Sequence, residues 1–249
     1  MARECAFCPA TANLSAEHLW GQWMGRLFPG RKRFTSKNQK GEIIREWSSD
    51  KLDWTARVVC EQCNNTWMSD IESQAKPVLS QFILGEAQAI SQSQADSIAL
   101  FAFKSAVIFD HIRFDHAPPF FSRSARLGFR KERAIPATVR MFIGGYLPRG
   151  KGEVLSCYHE GTLSGTEKVV LYVCTYAAGH LVFQVVSYKQ RGFTKIRVQP
   201  KNLRSFAVEF WPWVAGGTAA WPPVGVLQDP QQFDSFSSRW RELTATIGP

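Results

Sequence analysis

The strongest constraint in the sequence is a pair of C-x-x-C motifs in its first quarter. One motif contains Cys5 and Cys8, the other contains Cys60 and Cys63, and residues 9–59 separate them. Each motif can present two sulfurs from one tight turn, so two motifs can complete a tetrahedral site. A segment with so long an insertion has little core of its own, and a bound metal ion would supply the missing stability. We therefore predict a structural zinc site formed by the four cysteines.

A dithiol redox pair is the alternative for either motif alone, but the thioredoxin-like βαβ context that such a pair would need is missing from the pattern. Four thiolates leave no open position on a zinc ion, so the predicted zinc should organise the segment without taking part in chemistry. The remaining cysteines, Cys157 and Cys174, stand singly in apolar segments. We predict that they are buried thiols.

Three residues near the cysteines are candidates for chemistry. Glu17 and His18 are adjacent in LSAEHLWG, and Asn64 directly follows the last cysteine. On a strand, adjacent side chains face opposite sides, so Glu17 can bind a metal while His18 contacts a water. Carboxylate and amide oxygens suit Mg²⁺ or a similar hard cation.

Other interpretations of these residues stay open. Glu17 and His18 could be a surface pair at the start of a helix that is capped by Ser15. Asp70 and Glu72 are expected in the first turns of a helix, where acidic side chains complement the helix dipole. The alternative metal ligands are Asn65, Asp70 and Glu72.

The ordered set of C-x-x-C, an acidic residue with His, and C-x-x-C-N resembles the HNH endonucleases, most closely their zinc-stabilised treble-clef or ββα-metal branch. The resemblance covers residues 5–75. It implies that His18 is the general base and that Glu17 and Asn64 hold a single Mg²⁺ or Mn²⁺ ion. It also implies that Cys5, Cys8, Cys60 and Cys63 hold a structural zinc.

The sequence departs from the family pattern at two points. The acidic position is Glu17, where Asp is more usual, and the span from His18 to Cys60 is long enough to require an inserted hairpin or loop. The expected reaction is hydrolysis of phosphodiester bonds, which needs a base for water and a cation for the developing charge. DNA is the favoured substrate and RNA is possible. The alternative is a zinc-binding module that binds nucleic acid or protein without cleaving it.

The charge of the chain favours a polyanionic partner. Lys and Arg total 30 against 21 acidic residues, which gives a formal net charge of +9. Residues 26–40 contain no acidic residue and follow the candidate base closely, although such a run can also be a solvated face. The predicted nucleic-acid contacts are Arg26, Arg31, Lys32, Arg33 and Lys37.

Beyond the cysteines, the pattern changes from helical to strand-like. Helical spacing predicts a helix after Cys63 that is kinked at Pro77, a buried helix over 93–114 and a basic amphipathic helix over 118–133. Short Val-, Phe- and Tyr-rich segments from residue 137 predict an antiparallel meander, with a short helix near 234–245. The pattern therefore predicts an α+β fold class, with a small cysteine-containing module over 1–75 and an accessory α+β domain over 76–249 that has a helical layer and an antiparallel sheet. The resemblance implies that the first module is a zinc-bound ββα-metal (treble-clef) unit.

The apolar segments bear on whether the protein is expected to enter a membrane or to be secreted. The longest, residues 98–109, is interrupted by Lys104 and Ser105 and is shorter than the roughly 20 apolar residues that span a bilayer. The amino terminus lacks the apolar core of a signal peptide. We expect a cytoplasmic protein without a membrane partner, and self-association through the second domain is possible.

Overall fold

The computed structural model of the chain describes most of its length. The described residues are 4–11, 13–27, 32–37, 42–50, 55–112, 118–148, 153–162, 169–190, 196–197, 206–213, 219–242 and 246–247. Only the backbone is described at 32–33, 36–37, 44, 153–162, 190, 196–197, 219, 241–242 and 246–247.

Two strands and a helix form the amino-terminal unit. Strand β1 (Leu14–His18) pairs antiparallel with β4 (Thr55–Cys60). The chain then enters a short helical turn, α1 (Glu61–Cys63), continues through a π-helical segment (Asn64–Met68) and forms helix α2 (Ser69–Leu84). Helix α2 ends at Gly85, whose φ of 88° is a left-handed conformation that favours glycine.

The insertion between β1 and β4 becomes part of a second sheet. It contains a 3₁₀ turn (Gln22–Arg26) and the strands β2 (Lys32–Lys37) and β3 (Ile43–Ser49), which form an antiparallel hairpin. Strand β2 also pairs in parallel with β7 (Glu153–Thr162). The inserted hairpin therefore extends the sheet built by the carboxyl-terminal half of the chain.

That sheet has eight strands among the described residues. Besides β2, β3 and β7, they are β6 (Arg140–Tyr146), β8 (Val169–Ala178), β9 (Leu181–Gln190), β11 (Ala207–Trp211) and β13 (Val226–Leu227). Its order is β11-β6-β9-β8-β7-β2-β3, with β13 pairing in parallel with β6. Neighbours from β11 to β7 are antiparallel. The predicted meander is confirmed only for β7, β8 and β9, because β6 lies beside β9 and the last predicted strand, at Ile196–Arg197, pairs outside this sheet.

The remaining elements are helices and two short strand pairs. Strand β5 (Gln88–Ile90) pairs with β12 (Ala219–Trp221), and β10 (Ile196–Arg197) pairs with β14 (Thr246–Ile247). The helices are α3 (Gln92–His111), α4 (Arg123–Glu132) and α5 (Pro230–Ser238), followed by a 3₁₀ turn (Arg239–Glu242).

Helix α3 is the centre of the larger core. Ser91 and Gln94 form a capping box at its start, and nearly all its residues from Ile98 to Asp110 are buried. The Tyr172 hydroxyl of β8 donates to the Ala106 carbonyl at 2.7 Å, which fixes α3 on the sheet. A second core lies on the opposite sheet face, where α5 packs, because successive strand residues face opposite sides.

The sequence predicts much of this architecture. The α+β class is confirmed, as are the buried helix at α3 and the basic helix at α4. Helix α2 runs through Pro77 as one element, so the predicted kink is not a break in the helix. The boundary predicted at residue 75 falls within α2, and one hydrophobic core continues from Cys5 to Trp221 across it.

No helix in the described part of the chain has the length and apolar character that crossing a bilayer requires.

Candidate functional site

The four cysteines of the two C-x-x-C motifs converge, as predicted. The Sγ atoms of Cys5, Cys8, Cys60 and Cys63 all lie within 4.8 Å of one another, and all four residues are buried. The Cys8 and Cys60 sulfurs are 3.5 Å apart. Sulfurs on one tetrahedral zinc ion are separated by about 3.8 Å when each Zn–S bond is about 2.3 Å. The cluster could therefore hold a metal ion such as zinc.

Backbone donors surround one of these sulfurs. The backbone N–H groups of Cys60 and Phe7 donate to the Cys5 sulfur at 3.3 and 3.5 Å. A hydrogen bond from Cys63 lowers the pKa of Cys5 to about 4 against the opposing effect of burial, and the two N–H groups act in the same direction. The same hydrogen bond and burial raise the pKa of Cys63. Donors aimed at sulfur stabilise a thiolate, the form that binds metal.

The cysteine cluster is also held by the rest of the fold. Phe7, between the first two cysteines, packs edge-on against Trp67 at a centroid distance of 5.1 Å. From helix α4, Arg126 donates through Nη1 to the carbonyl oxygen of Ala6. Burial lowers the pKa of Arg126, which indicates that its guanidinium is partly withdrawn from water. The first cysteine turn is thus attached to the larger core by packing and by a hydrogen bond.

A pocket of about 280 Å³ opens beside the cysteine cluster, between the end of β1 and the start of α2. It contains all three residues that the sequence predicts for chemistry, namely Glu17, His18 and Asn64. The rest of its lining is polar apart from one alanine. These other residues are Ala16, Gln22, Asn65, Ser69 and Glu72.

Asn64 is oriented by a neighbour on β1. Its Nδ2 donates to Ser15 Oγ at 3.0 Å, and this hydroxyl in turn donates to the Val59 carbonyl at 3.2 Å. With Nδ2 engaged in this way, Oδ1 is the amide atom left available as an acceptor or ligand. Asn64 also opens the segment after α1, whose helical path is interrupted at Thr66, where φ is −112° and ψ is −109°. Ser15 therefore supports Asn64 on a strand, and the helix start that we considered as an alternative is absent from residues 14–18.

Glu17 is buried on β1. The register of β1 against β4 shifts between Ser15 and Glu17, and the Glu17 residue is 4% exposed. Its Oε1 accepts a hydrogen bond from Lys104 Nζ at 3.0 Å. The carboxylate that we predict as a cation ligand is therefore already ion-paired on one of its two oxygens.

Glu72 joins the same ion pair from helix α2. Its Oε1 lies 2.5 Å from Lys104 Nζ, and its side chain is 22% exposed. The chain approaches it closely at Gly21, where a Cβ atom would lie 3.0 Å from Glu72 Oε2 and 2.4 Å from Trp23 Nε1. Gly21 thus leaves the space that the Glu72 carboxylate and the Trp23 ring occupy.

Lys104 is the charge that joins these two carboxylates. It lies in α3 and is 1% exposed, and a buried ammonium group requires charged partners. Burial by itself lowers the pKa of Lys104, but the charges of Glu17 and Glu72 outweigh that effect and raise it. Two carboxylates against one ammonium leave one uncompensated negative charge at the pocket. A divalent cation is a fitting counter-ion for that charge.

His18 completes the pocket at the end of β1. It is half-buried, and it pairs across the strand with Thr55. An imidazole so placed can exchange protons with water at the pocket mouth. The structure therefore brings together a histidine, two carboxylates and an amide, although Glu17 faces a buried lysine as well as the pocket.

The predicted basic contacts are less well described. Arg26 is exposed at the end of the 3₁₀ turn that follows the pocket residue Gln22. Lys32, Arg33 and Lys37 belong to β2, whose backbone lies inside the eight-stranded sheet, and their side chains lie outside the described residues. Arg31 also lies outside the described residues.

Sequence reasoning gave too small a role to two residues. The sequence indicates Lys104 only as an interruption of an apolar stretch, and it indicates Glu72 as a first-turn acid and an alternative metal ligand. A signal for Lys104 exists, because a lysine in a helix that is apolar almost all round must find a buried counter-charge. Its partners lie far away in the sequence and have no such signal.

The comparisons with known proteins add no relative. No family model matches the chain, and neither a curated protein nor a solved structure matches it. The functional argument therefore depends on the residues of the chain itself.

Proposed function

We propose that the protein is a metal-dependent endonuclease of the HNH type that hydrolyses phosphodiester bonds in nucleic acid, with DNA as the favoured substrate. The observation that carries the proposal is the pocket lined by Glu17, His18 and Asn64, of which Asn64 directly follows Cys63 of the cysteine cluster. The order of the elements supports it, because two antiparallel strands followed by a helix carry these residues in the order that the family pattern requires.

His18 is the general base in this proposal. Its imidazole takes a proton from a water molecule, which then attacks the phosphorus atom. Its half-buried position leaves it open to the pocket while the backbone of β1 holds it in place. Glu17, next to it, faces the buried lysine and so takes no part in the proton transfer.

Glu17 and Asn64 are the proposed ligands of one Mg²⁺ or Mn²⁺ ion, and the pocket adds Glu72 as a third oxygen donor. The donor set consists of hard oxygen atoms, which suits these cations. The Ser15 hydrogen bond supports the role of Asn64 because it leaves the amide oxygen available. A cation there would stabilise the charge on the phosphate and on the departing oxygen.

The cysteine cluster is proposed to hold a structural zinc ion. Four thiolates complete a tetrahedral shell and leave no position for water or substrate. The zinc would fix the junction of β4 and α1, and this junction places Asn64 immediately after Cys63. The two C-x-x-C turns, β1, β4 and the helix would then form the treble-clef or ββα-metal module that the resemblance implies.

The experiment is a cleavage assay on the zinc-loaded protein. Plasmid DNA, single-stranded DNA and RNA are incubated with Mg²⁺ or Mn²⁺, and parallel reactions contain zinc alone. We expect cleavage of DNA that depends on the added cation and falls by a factor of about 10²–10⁴ in His18→Ala. His180→Ala is the matched control, because His180 is another half-buried histidine and is not among the pocket-lining residues.

Two results would contradict parts of the proposal. A His18→Ala protein that binds zinc and cleaves at the wild-type rate would remove His18 as the base. Cleavage confined to RNA would keep the mechanism and change the substrate.

A zinc-dependent binding module without catalysis is the second candidate. The observation that favours it is the ion pair of Glu17 with Lys104, since a carboxylate committed to a buried lysine can be purely structural. In that case the protein binds nucleic acid or a protein partner in a salt-dependent manner. Binding of the plasmid without any metal-dependent cleavage would support this candidate.

A further inference from the structure

Helix α3 carries a charged residue where an apolar one would be expected. Its residues from Phe101 to Ile108 are all 1% exposed or less, and Lys104 lies in the middle of this segment. An aliphatic residue of similar length would pack there without a desolvation cost. The lysine therefore needs an explanation that goes beyond filling the core.

Lys104 contacts two different elements of the pocket. Its Nζ is 3.0 Å from Glu17 Oε1 on β1 and 2.5 Å from Glu72 Oε1 on α2. Both carboxylates also line the pocket. A single ammonium group beneath the pocket thus holds one oxygen of each acidic side chain.

Each carboxylate retains a second oxygen. Holding Oε1 fixes the rotation of the carboxylate and leaves Oε2 as the free donor atom. Glu72 and Glu17 both line the pocket, so a cation in it can approach their second oxygens. A metal-ligating carboxylate is commonly held through its other oxygen, and loss of such a partner typically weakens metal binding by a factor of 10–100.

We propose that Lys104 is a positioning residue that holds Glu17 and Glu72 as ligands for one divalent cation in the pocket. The inference rests on the proposed function, because it concerns the same cation. Lys104 itself touches neither the cation nor the nucleic acid. Its charge also reduces the negative charge at the pocket from two to one, which suits a single divalent ion.

The competing explanation makes the opposite prediction. If the lysine occupied the place of the cation and Glu17 and Glu72 were only its counter-ions, removing it would free both carboxylates. Cation binding would then become tighter in Lys104→Met, or would be absent from the wild type as well.

The test measures Mn²⁺ binding by the full-length, zinc-loaded protein. Mn²⁺ is titrated and its free concentration is followed by electron paramagnetic resonance, with zinc content and far-ultraviolet circular dichroism recorded for each variant. We expect Lys104→Met to bind Mn²⁺ 10–100-fold more weakly, and Lys104→Arg, which keeps the positive charge in a larger group, to bind Mn²⁺ more tightly than Lys104→Met. Lys76→Met is the matched control, because Lys76 is an exposed lysine of α2.

A second variant covers the case in which Lys104→Met does not fold. Glu72→Gln leaves the ion pair of Lys104 with Glu17 intact, and we expect it to bind Mn²⁺ at least tenfold more weakly. Wild-type or tighter binding in the folded Lys104→Met variant, or unchanged binding in Glu72→Gln, would overturn the proposal while the nuclease assignment stands. Absence of Mn²⁺ binding in the wild-type protein would overturn both.

Discussion

Two buried polar clusters flank the pocket, and they are built in different ways. The cysteine cluster draws its four sulfurs from two short turns, at residues 5–8 and 60–63. The acid–lysine cluster, consisting of Glu17, Glu72 and Lys104, takes one residue from each of β1, α2 and α3. The difference teaches that a cluster made of local turns has a sequence signature, whereas a cluster made of distant single residues has none.

Each cluster also adjoins a pocket residue in the sequence. Asn64 follows the last residue of the cysteine cluster, and His18 follows the first residue of the acid–lysine cluster. A metal bound by thiolates contributes binding free energy directly to folding. A buried ion pair contributes little net free energy and mainly requires that its partners stay together. Substitutions in the two clusters should therefore change the free energy of unfolding by different amounts.

The largest effect is expected from the cysteine cluster. Cys63→Ser should abolish stoichiometric zinc binding and unfold the amino-terminal unit, since structural zinc sites contribute on the order of 10 kcal/mol. Zinc analysis and thermal unfolding measure both consequences. Cys174→Ser is the control, because Cys174 is a buried cysteine outside the cluster and should retain one zinc per chain. Full zinc content in Cys63→Ser would show that the four sulfurs do not share an ion.

A smaller but still large effect is expected from the acid–lysine cluster. Lys104→Met leaves the buried carboxylate of Glu17 and the partly exposed carboxylate of Glu72 without their cation, and it should lower the free energy of unfolding by about 3–5 kcal/mol. Adding Glu17→Gln and Glu72→Gln to Lys104→Met should recover much of this loss, because the unpaired charges are then removed. Urea unfolding at constant zinc concentration measures each variant.

The control for this prediction is Lys76→Met, which should stay within about 0.5 kcal/mol of wild type because Lys76 is exposed. A Lys104→Met protein as stable as this control would mean that the cluster is not a buried charge network, and the contrast between the clusters would disappear.

The smallest effect concerns a histidine in the larger core. Burial lowers the pKa of His111 to about 4, its ring nitrogen Nδ1 lies 2.8 Å from the Val107 carbonyl, and Arg126 opposes its protonation. The folded state thus binds this proton less readily than the unfolded chain, whose histidine pKa is about 6.5. The associated stability is complete above pH 6.5 and is lost as the pH falls towards 4. Between pH 7.5 and 5.5 we expect a loss of about 1.3 kcal/mol from His111.

His111→Asn separates this contribution from those of the two clusters. Asparagine keeps a donor for the Val107 carbonyl and cannot take up the proton, so the variant should lose less stability than wild type over the same pH interval. Urea unfolding at the two pH values gives the difference. Equal losses in both proteins would assign the acid sensitivity to the clusters beside the pocket.

Much of the fold could be predicted because its signals are local. The helical spacing around α3 and the Val-, Phe- and Tyr-rich strands from β6 to β9 each lie within one segment. The parallel pairing of β2 with β7 could not be predicted, because β2 and β7 are distant in sequence and a strand carries no mark of its partner. For the same reason, the sequence that predicts a boundary at residue 75 does not indicate that the hairpin of β2 and β3 joins the eight-stranded sheet.

For the site, the sequence by itself determined the meeting of the four cysteines and placed Asn64 next to them, because the spacing within a turn dictates where its side chains point. The tertiary structure alone decided that Lys104 lies beneath Glu17 and Glu72. A buried charge must be neutralised within a few ångströms, and only the packing of α3 against β1 and α2 determines which residues are that close.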